Sequence, residues 1–336
     1  MRSFFRSHPN EASLLALLLV ISVVLSFASP SFLSLGNLTS LLNNNAVNVI
    51  WAVGLLVVLI AGGIDISFAV AASVVQYLCV YAFAAVGGGD WLIGFLFAGL
   101  FGLAIGFINA SLIYFFNIIS IVVTIATFNA LFGLLMFTTS GRLITDLPDW
   151  WSTPIALFQI QSANGAWADL ALPVAVMAAA MTATWLLVSR TTIGRQLYAF
   201  GDNPEGARRA GVDIRLMQFL AFGWMGLCAG IGGLMQVNIV EEVVPNALIG
   251  RELDVLAAVV LGGARLGGGR GSVLGCLLGV LLVAITQNGL NLLGISPFAF
   301  KMVIGLIILI AISTSNLDFS TLAGPKRERR GRVQTG

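Results

Sequence analysis

Charge is scarce in this chain. Asp, Glu, Lys and Arg make up 10% of its 336 residues, against 58% hydrophobic, whereas a soluble domain carries about 25% charged residues. With a mean hydropathy of +0.97, that scarcity makes it an integral membrane protein. His8 is the single histidine, which leaves zinc or haem almost no ligands, so no metal site is expected. Lys301 and Lys326 are the only lysines and no Gly-x-x-x-x-Gly-Lys-Ser/Thr loop occurs, so any ATP is expected on another chain. Cys79, Cys228 and Cys276 lie far apart in apolar runs without a CxxC spacing, which fits small core residues. The arginines are scattered between apolar spans with no basic run interleaved with aromatics, so nucleic acid is not an expected partner. No clustered acid, base and nucleophile set is visible, and no catalytic residue is assigned.

Glycine is plentiful and pointedly placed. Gly62-Gly63-Ile64-Asp65-Ile66-Ser67 and Gly262-Gly263-Ala264-Arg265-Leu266-Gly267 each interrupt an apolar region. Each glycine costs a helix about 1 kcal/mol relative to alanine. A break within a membrane segment is tolerated only where the freed backbone is buried in protein or lines a wet cavity. Paired breaks in the two halves of a chain point to a translocation path. Gly62 aligns with Gly262, a short internal repeat.

The apolar spans are expected at 12–28, 47–61, 70–86, 91–114, 118–139, 170–188, 217–237, 255–261, 273–289 and 304–312. The fold class is therefore an all-α polytopic membrane protein of about ten transmembrane helices, two of them broken at Gly-Gly. Eight crossings with re-entrant hairpins satisfy the same parity. The first span, behind Arg2, Arg6 and His8, is expected to be retained rather than cleaved as a signal peptide. Residues 31–45, with Asn37, Asn43, Asn44 and Asn45, are expected to form a short interfacial helix. Arg190, Arg195, Arg208, Arg209 and Arg215 mark 189–215 as cytoplasmic, and the basic termini should lie on the same side. Asp146 and Asp149 outweigh Arg142 in 140–168, which suits the outside. Residues 1–317 form the membrane domain and 318–336 a basic cytoplasmic tail.

Small residues recur every fourth position at Gly94, Ala98, Gly102, Gly106 and Ala110, and from Gly263 to Gly279, with a shorter ridge at Gly226 and Gly230. Such stripes are packing faces. Candidate path residues are Gly62, Gly63, Asp65, Ser67, Gln76, Asn109, Asn129, Gln236, Gln287 and Asn288. A carboxylate within the membrane must pair or face water, and amides both give and accept hydrogen bonds, which suits hydroxyl-rich solutes. Asp65 serving only as a backbone brace, and the amides only as bonds between helices, are equally consistent readings. The cytoplasmic stretch carries a separate signal. Asp202 or Asn203 can cap a helix, Pro204 suits its first turn, Glu205 favours the positive dipole end, and Gly211 supplies a left-handed stop. A short capped helix there, with Gly206, Ala207 and Arg208 within it, offers a docking surface.

Three ordered motifs carry a family resemblance. Gly62 to Ser67, the Gly201-Asp202-Asn203 … Ala210-Gly211-Val212 loop, and Leu253-Asp254-Val255-Leu256-Ala257-Ala258-Val259-Val260-Leu261-Gly262-Gly263 with Gly268-Gly269-Arg270-Gly271-Ser272 together resemble ribose-type ABC importer permeases, which include those for ribose, xylose, rhamnose and autoinducer-2. The resemblance spans roughly residues 12–317. It implies a multi-pass transport subunit of the bacterial inner membrane, working as a dimer with itself or a sister permease. It implies a cytoplasmic ATPase docking on 202–211 and holding the ATP and magnesium, and a periplasmic solute-binding protein delivering a monosaccharide or related polyol. Branched-chain amino-acid permeases share a looser form of the pattern, which leaves amino acids and nucleosides as alternative solutes. Two departures stand out: Phe68-Ala69-Val70 follows the first motif in place of Val-Gly-Ser, and Ala264-Arg265 follows the second Gly-Gly in place of Thr-Ser or Ala-Ser. An ion-coupled secondary transporter is the rival class, with few candidate coupling groups.

Overall fold

The computed structural model describes residues 9–161, 167–296, 299–302 and 305–306. The last expected span at 304–312 falls almost entirely outside them, as do Arg2, Arg6, His8 and the basic tail. Twelve helices and one hairpin follow in order: α1 (Pro9–Ala28), α2 (Leu35–Ile60), α3 (Phe68–Ala85), α4 (Trp91–Phe116), α5 (Ser120–Thr139), α6 (Asp149–Ser152), β1 (Ala156–Gln161), β2 (Trp167–Ala171), α7 (Leu172–Arg190), α8 (Thr192–Asp202), α9 (Pro204–Arg209), α10 (Ile214–Val240), α11 (Arg251–Leu261) and α12 (Val273–Leu292). Eight of them, α1 to α5, α7, α10 and α12, are long and apolar enough to cross a membrane. The 11 residues of α11 reach roughly 17 Å, about half the hydrocarbon thickness of a bilayer. The protein is an all-α polytopic membrane protein; among the described residues one antiparallel hairpin, β1–β2, spans 156–171, at the end of the polar 140–168 segment.

The interfacial helix expected at 31–45 is not separate. Residues 35–45 are the first turns of α2, a continuous 26-residue helix. Its asparagines are tolerated because other elements answer them. Asn43 donates to the Asp169 carbonyl (3.0 Å) and accepts from the Ala171 amide (3.0 Å) on the hairpin. Asn37 and Asn288 exchange reciprocal amide bonds of 3.0 and 2.8 Å, joining α2 to α12. Below these turns α2 is buried on every side from Val49 to Ile60, so it forms the axis of the core, as a helix apolar all round must.

Small residues bring the helices together. On α4 and α10, a Cβ at Gly102, Gly106, Gly226 or Gly230 would run into a carbonyl of the facing helix, so the two backbones touch. On α12, Gly275 and Gly279 lie in the same way against the carbonyls of Gly262 and Ala258 on the α11 side. The stripe expected from Gly263 to Gly279 is helical only from Gly275 onward; Gly263, Gly267 and Gly271 belong to the connecting loop.

Both glycine doublets end helices, one residue out of the register the sequence suggests. After α2, Ala61 is right-handed and Gly62 left-handed (φ 84°), with Gly62 N–H donating to Leu59 O and Gly63 N–H to Val58 O. After α11, Gly262 is right-handed and Gly263 left-handed (φ 93°), with Gly263 N–H donating to Val260 O and Ala264 N–H to Val259 O. These are the same helix stop, pairing Gly62 with Gly263 and Ala61 with Gly262. The remaining glycines of the doublets answer packing. A Cβ on Gly262 would overlap Gly275, and one on Gly63 would lie 3.1 Å from Phe222.

Candidate functional site

The α8–α9 segment folds into two separately capped helices. Thr191 Oγ1 accepts from Gly194 N–H (3.0 Å) to start α8, and Asn203 Oδ1 accepts from Gly206 N–H (2.9 Å) to start α9, with Pro204 in its first turn. Gly211 (φ 85°) turns the chain out, and Val212 N–H closes back on Ala207 O at 3.0 Å. Asp202 is the last residue of α8, and the cap of α9 is Asn203. Asp202, Asn203, Pro204, Glu205, Arg208 and Gly211 face outward, while Ala207 is buried and Gly206 half-buried. The exposed Glu205–Arg209 pair at 3.1 Å contributes no more than about 0.5 kcal/mol to α9.

Gly201, at the end of α8, is where the two glycine breaks meet. Gly269 N–H donates to Ile60 O at 2.9 Å, tying the loop after α11 to the end of α2. A Cβ on Gly201 would overlap Ile60 O and come within 2.7 Å of Gly269 N; a Cβ on Gly268 would in turn overlap Gly201. Gly62 lies against the same glycine, its Cβ position 3.6 Å from Gly201 Cα. Tyr198 O–H donates to Gly271 O at 2.8 Å, one helical turn earlier on α8. Beside this junction opens a cavity of about 390 Å³, lined by Gly62, Gly63, Ser120, Phe200, Asp202 and Gln218 among others. At this junction backbone lies against backbone, with no side chain between the end of α8 and either break.

The path residues expected from the sequence do not gather in one place. Asp65 is buried, and its Oδ1 accepts from the Ser67 amide and from Ser67 Oγ, each at 2.7 Å. Ser67 Oγ accepts in turn from Asn109 Nδ2 (2.8 Å), so Asp65, Ser67 and Asn109 form one sealed network joining the first break to α4. Gln76 donates to Gly233 O (3.0 Å) and fastens α3 to α10. Asn129 lies on an exposed face of α5 and bonds back to Ile125 O (2.8 Å). Asn288 is used by Asn37. Gln236 Oε1 accepts from Arg251 (3.1 Å).

Gln287 alone of that set lines the second cavity, about 270 Å³ between α2, α11 and α12, with Asn44, Asn45, Asn48, Arg251 and Asp254. Residues 251–254 lie outside the span expected at 255–261, yet they are the first turn of α11. The signal in the sequence for this cavity is the amide spacing Asn44 to Asn48, one helical turn apart on α2.

Residues 37–312 match the family described as branched-chain amino acid transport system / permease component. The chain is 32% identical over 322 residues to the ribose import permease protein RbsC of Escherichia coli K12, covering 91% of this chain and 94% of that protein. The chain belongs to this permease family. Within it, the permease is of the ribose-type ABC importer kind and is a transport subunit rather than an enzyme. It is also 33% identical over 295 residues to RbsC of Bacillus subtilis 168, covering 88% of this chain and 89% of that one. The galactose/methyl galactoside import permease protein MglC of E. coli K12 is 27% identical over 335 residues, covering 94% and 97%. No solved structure matches.

Proposed function

We propose that this permease is the membrane subunit of an ATP-driven importer, carrying a monosaccharide or related polyol across the bacterial inner membrane. The ribose and galactose permeases to which it is similar support a sugar as the solute class. The α8–α9 end faces the cytoplasm with both termini, a reading that the arginines of 189–215 support. A separate ATPase holds the ATP and magnesium and docks on the exposed residues Asp202 to Glu205 and Arg208. A solute-binding protein delivers sugar at the hairpin end, and a second permease, identical or related, completes the membrane unit.

The observation that carries this reading is the contact of Gly62, Gly201 and Gly268–Gly269. Force applied to α8 reaches both helix breaks through backbone alone. A transporter energised through its own ion sites has no need of such a link to an external helix.

Reconstitution of the permease with its ATPase and binding protein in proteoliposomes tests the reading. Uptake of radiolabelled D-ribose or D-galactose is expected to require ATP and to cease when the ATPase is inactivated by mutation. Uptake by the permease alone, driven by a proton or sodium gradient, overturns it.

A further inference from the structure

We propose that the 270 Å³ cavity between α2, α11 and α12 is a binding site for a neutral, multiply hydroxylated solute of one sugar ring, held within a single permease copy. The proposal rests on the sugar-importer reading and gives that solute a location.

The cavity is a cup with a polar rim and an apolar floor. α2 and α11 run toward the α8–α9 end and α12 runs away from it, as the Gly269–Ile60 and Ser272–Glu11 bonds fix. Asn44, Asn48, Arg251, Asp254 and Gln287 therefore lie at the hairpin side, and Val255, Ala258, Val280 and Val283 below them. Immediately under the floor, Gly279 lies against the Ala258 carbonyl, so α11 and α12 close the cup backbone to backbone. The same two helices meet again at Gly262 and Gly275, next to the loop that is tied to Gly201. Movement of that loop is the motion that parts the floor.

The rim is built with unused hydrogen-bonding capacity. The side chains of Asn44, Asp254 and Gln287 make no hydrogen bond to any described residue, while Asp254 feels the charges of both Arg251 and Lys301. A carboxylate among membrane helices with no hydrogen bond of its own is costly unless it meets a cation, water or a ligand. Its neighbour Glu252, by contrast, accepts the Gly250 N–H on both oxygens, at 3.1 and 3.0 Å. Arg251 is held by one bond to Gln236, which fixes its guanidinium and leaves its other donors to the cup. Asp254 accepts from solute hydroxyls, Arg251 donates to their oxygens, and the two amides do both. Arg251 and Lys301 act on Asp254 and Glu252 here, so the charges beside the rim balance two against two, which favours a neutral solute over an anion or a cation. The volume falls just below the roughly 300 Å³ at which drug-sized pockets begin, so one ring fills it, its C–H face on Val280 and Val283.

The test uses the importer assembled with its ATPase and binding protein. The native cysteines are all buried, so Asn44→Cys provides a single reactive thiol on the rim. D-Ribose or D-galactose is expected to slow its modification by a polar maleimide severalfold, and Gln287→Leu and Asp254→Asn are each expected to reduce uptake about tenfold. Unchanged labelling together with wild-type uptake in both variants overturns the cup and leaves the sugar-importer reading standing. Protection by L-leucine and by neither sugar overturns the neutral solute class. Failure of the wild-type importer to move any hydroxylated solute overturns the importer reading itself, and the cup with it.

Discussion

At Gly201 there is no room for a methyl group. Its Cβ position overlaps Ile60 O and lies 2.7 Å from Gly269 N, and backbone atoms on both sides cannot yield as a flexible side chain would. Gly201→Ala is therefore expected to push α8 off the two breaks. In the assembled importer, ATP hydrolysed per sugar imported should rise at least tenfold, while Gly36→Ala, where nothing lies within 4 Å, should leave that ratio unchanged. Asp65 works by a different physics. Its carboxylate answers two Ser67 donors, and Ser67 answers Asn109, so Asp65→Leu strands buried polar groups. The expected cost is about 1–3 kcal/mol, read as a lowered unfolding temperature in detergent. Asp65→Asn, which keeps an acceptor oxygen, should lose less. Equal losses in the two variants would mean that the network contributes nothing.

Among the elements, α9 is the shortest that carries a functional proposal, and six residues cannot hold a helix without help. Its caps supply that help. Asn203→Ala removes the acceptor for Gly206 N–H and is expected to cost about 1 kcal/mol, with uptake falling as α9 frays; Asn203→Asp should retain both. Uptake unchanged in Asn203→Ala counts against α9 as the docking element. Gly206 is a poorer probe, because a Cβ there comes within 2.9 Å of the capping Asn203 amide and confuses docking with folding. The capping pattern of α9 was legible because Asn203, Pro204 and Gly211 act within about two turns of each other. The spans were legible because bilayer thickness sets a length that apolar runs must meet. The continuity of α2 through Asn43 to Asn45 was not, since the groups that satisfy Asn43 stand on the hairpin and those that satisfy Asn37 stand on α12. The repeat was misregistered by one residue for a related reason. Gly262 is glycine to admit Gly275, a contact with another helix, whereas Gly62 is glycine to turn left-handed.

Across the whole molecule, two ends differ in kind. One holds the α8–α9 helices, the glycine junction and the start of α1, which Glu11 ties to Ser272 at 2.9 Å. The other holds the hairpin, the rim of the cup and an aromatic cluster in which Phe83, Trp150 and Trp151 pack with centroids 5.1–6.2 Å apart. In the proposed orientation the first end is cytoplasmic, as the placement of arginine favours, so that a solute enters at the rim and ATP acts from below the floor. Because Cys79, Cys228 and Cys276 are buried, single introduced thiols report sidedness against a quiet background. Phe158, 69% exposed on β1, and Arg208 on α9 stand at opposite ends. Phe158→Cys is expected to react with a membrane-impermeant maleimide in intact cells, and Arg208→Cys only after the membrane is opened. The reverse pattern would place the junction outside, where no ATPase reaches it, and the coupling through Gly201 would fall with the orientation.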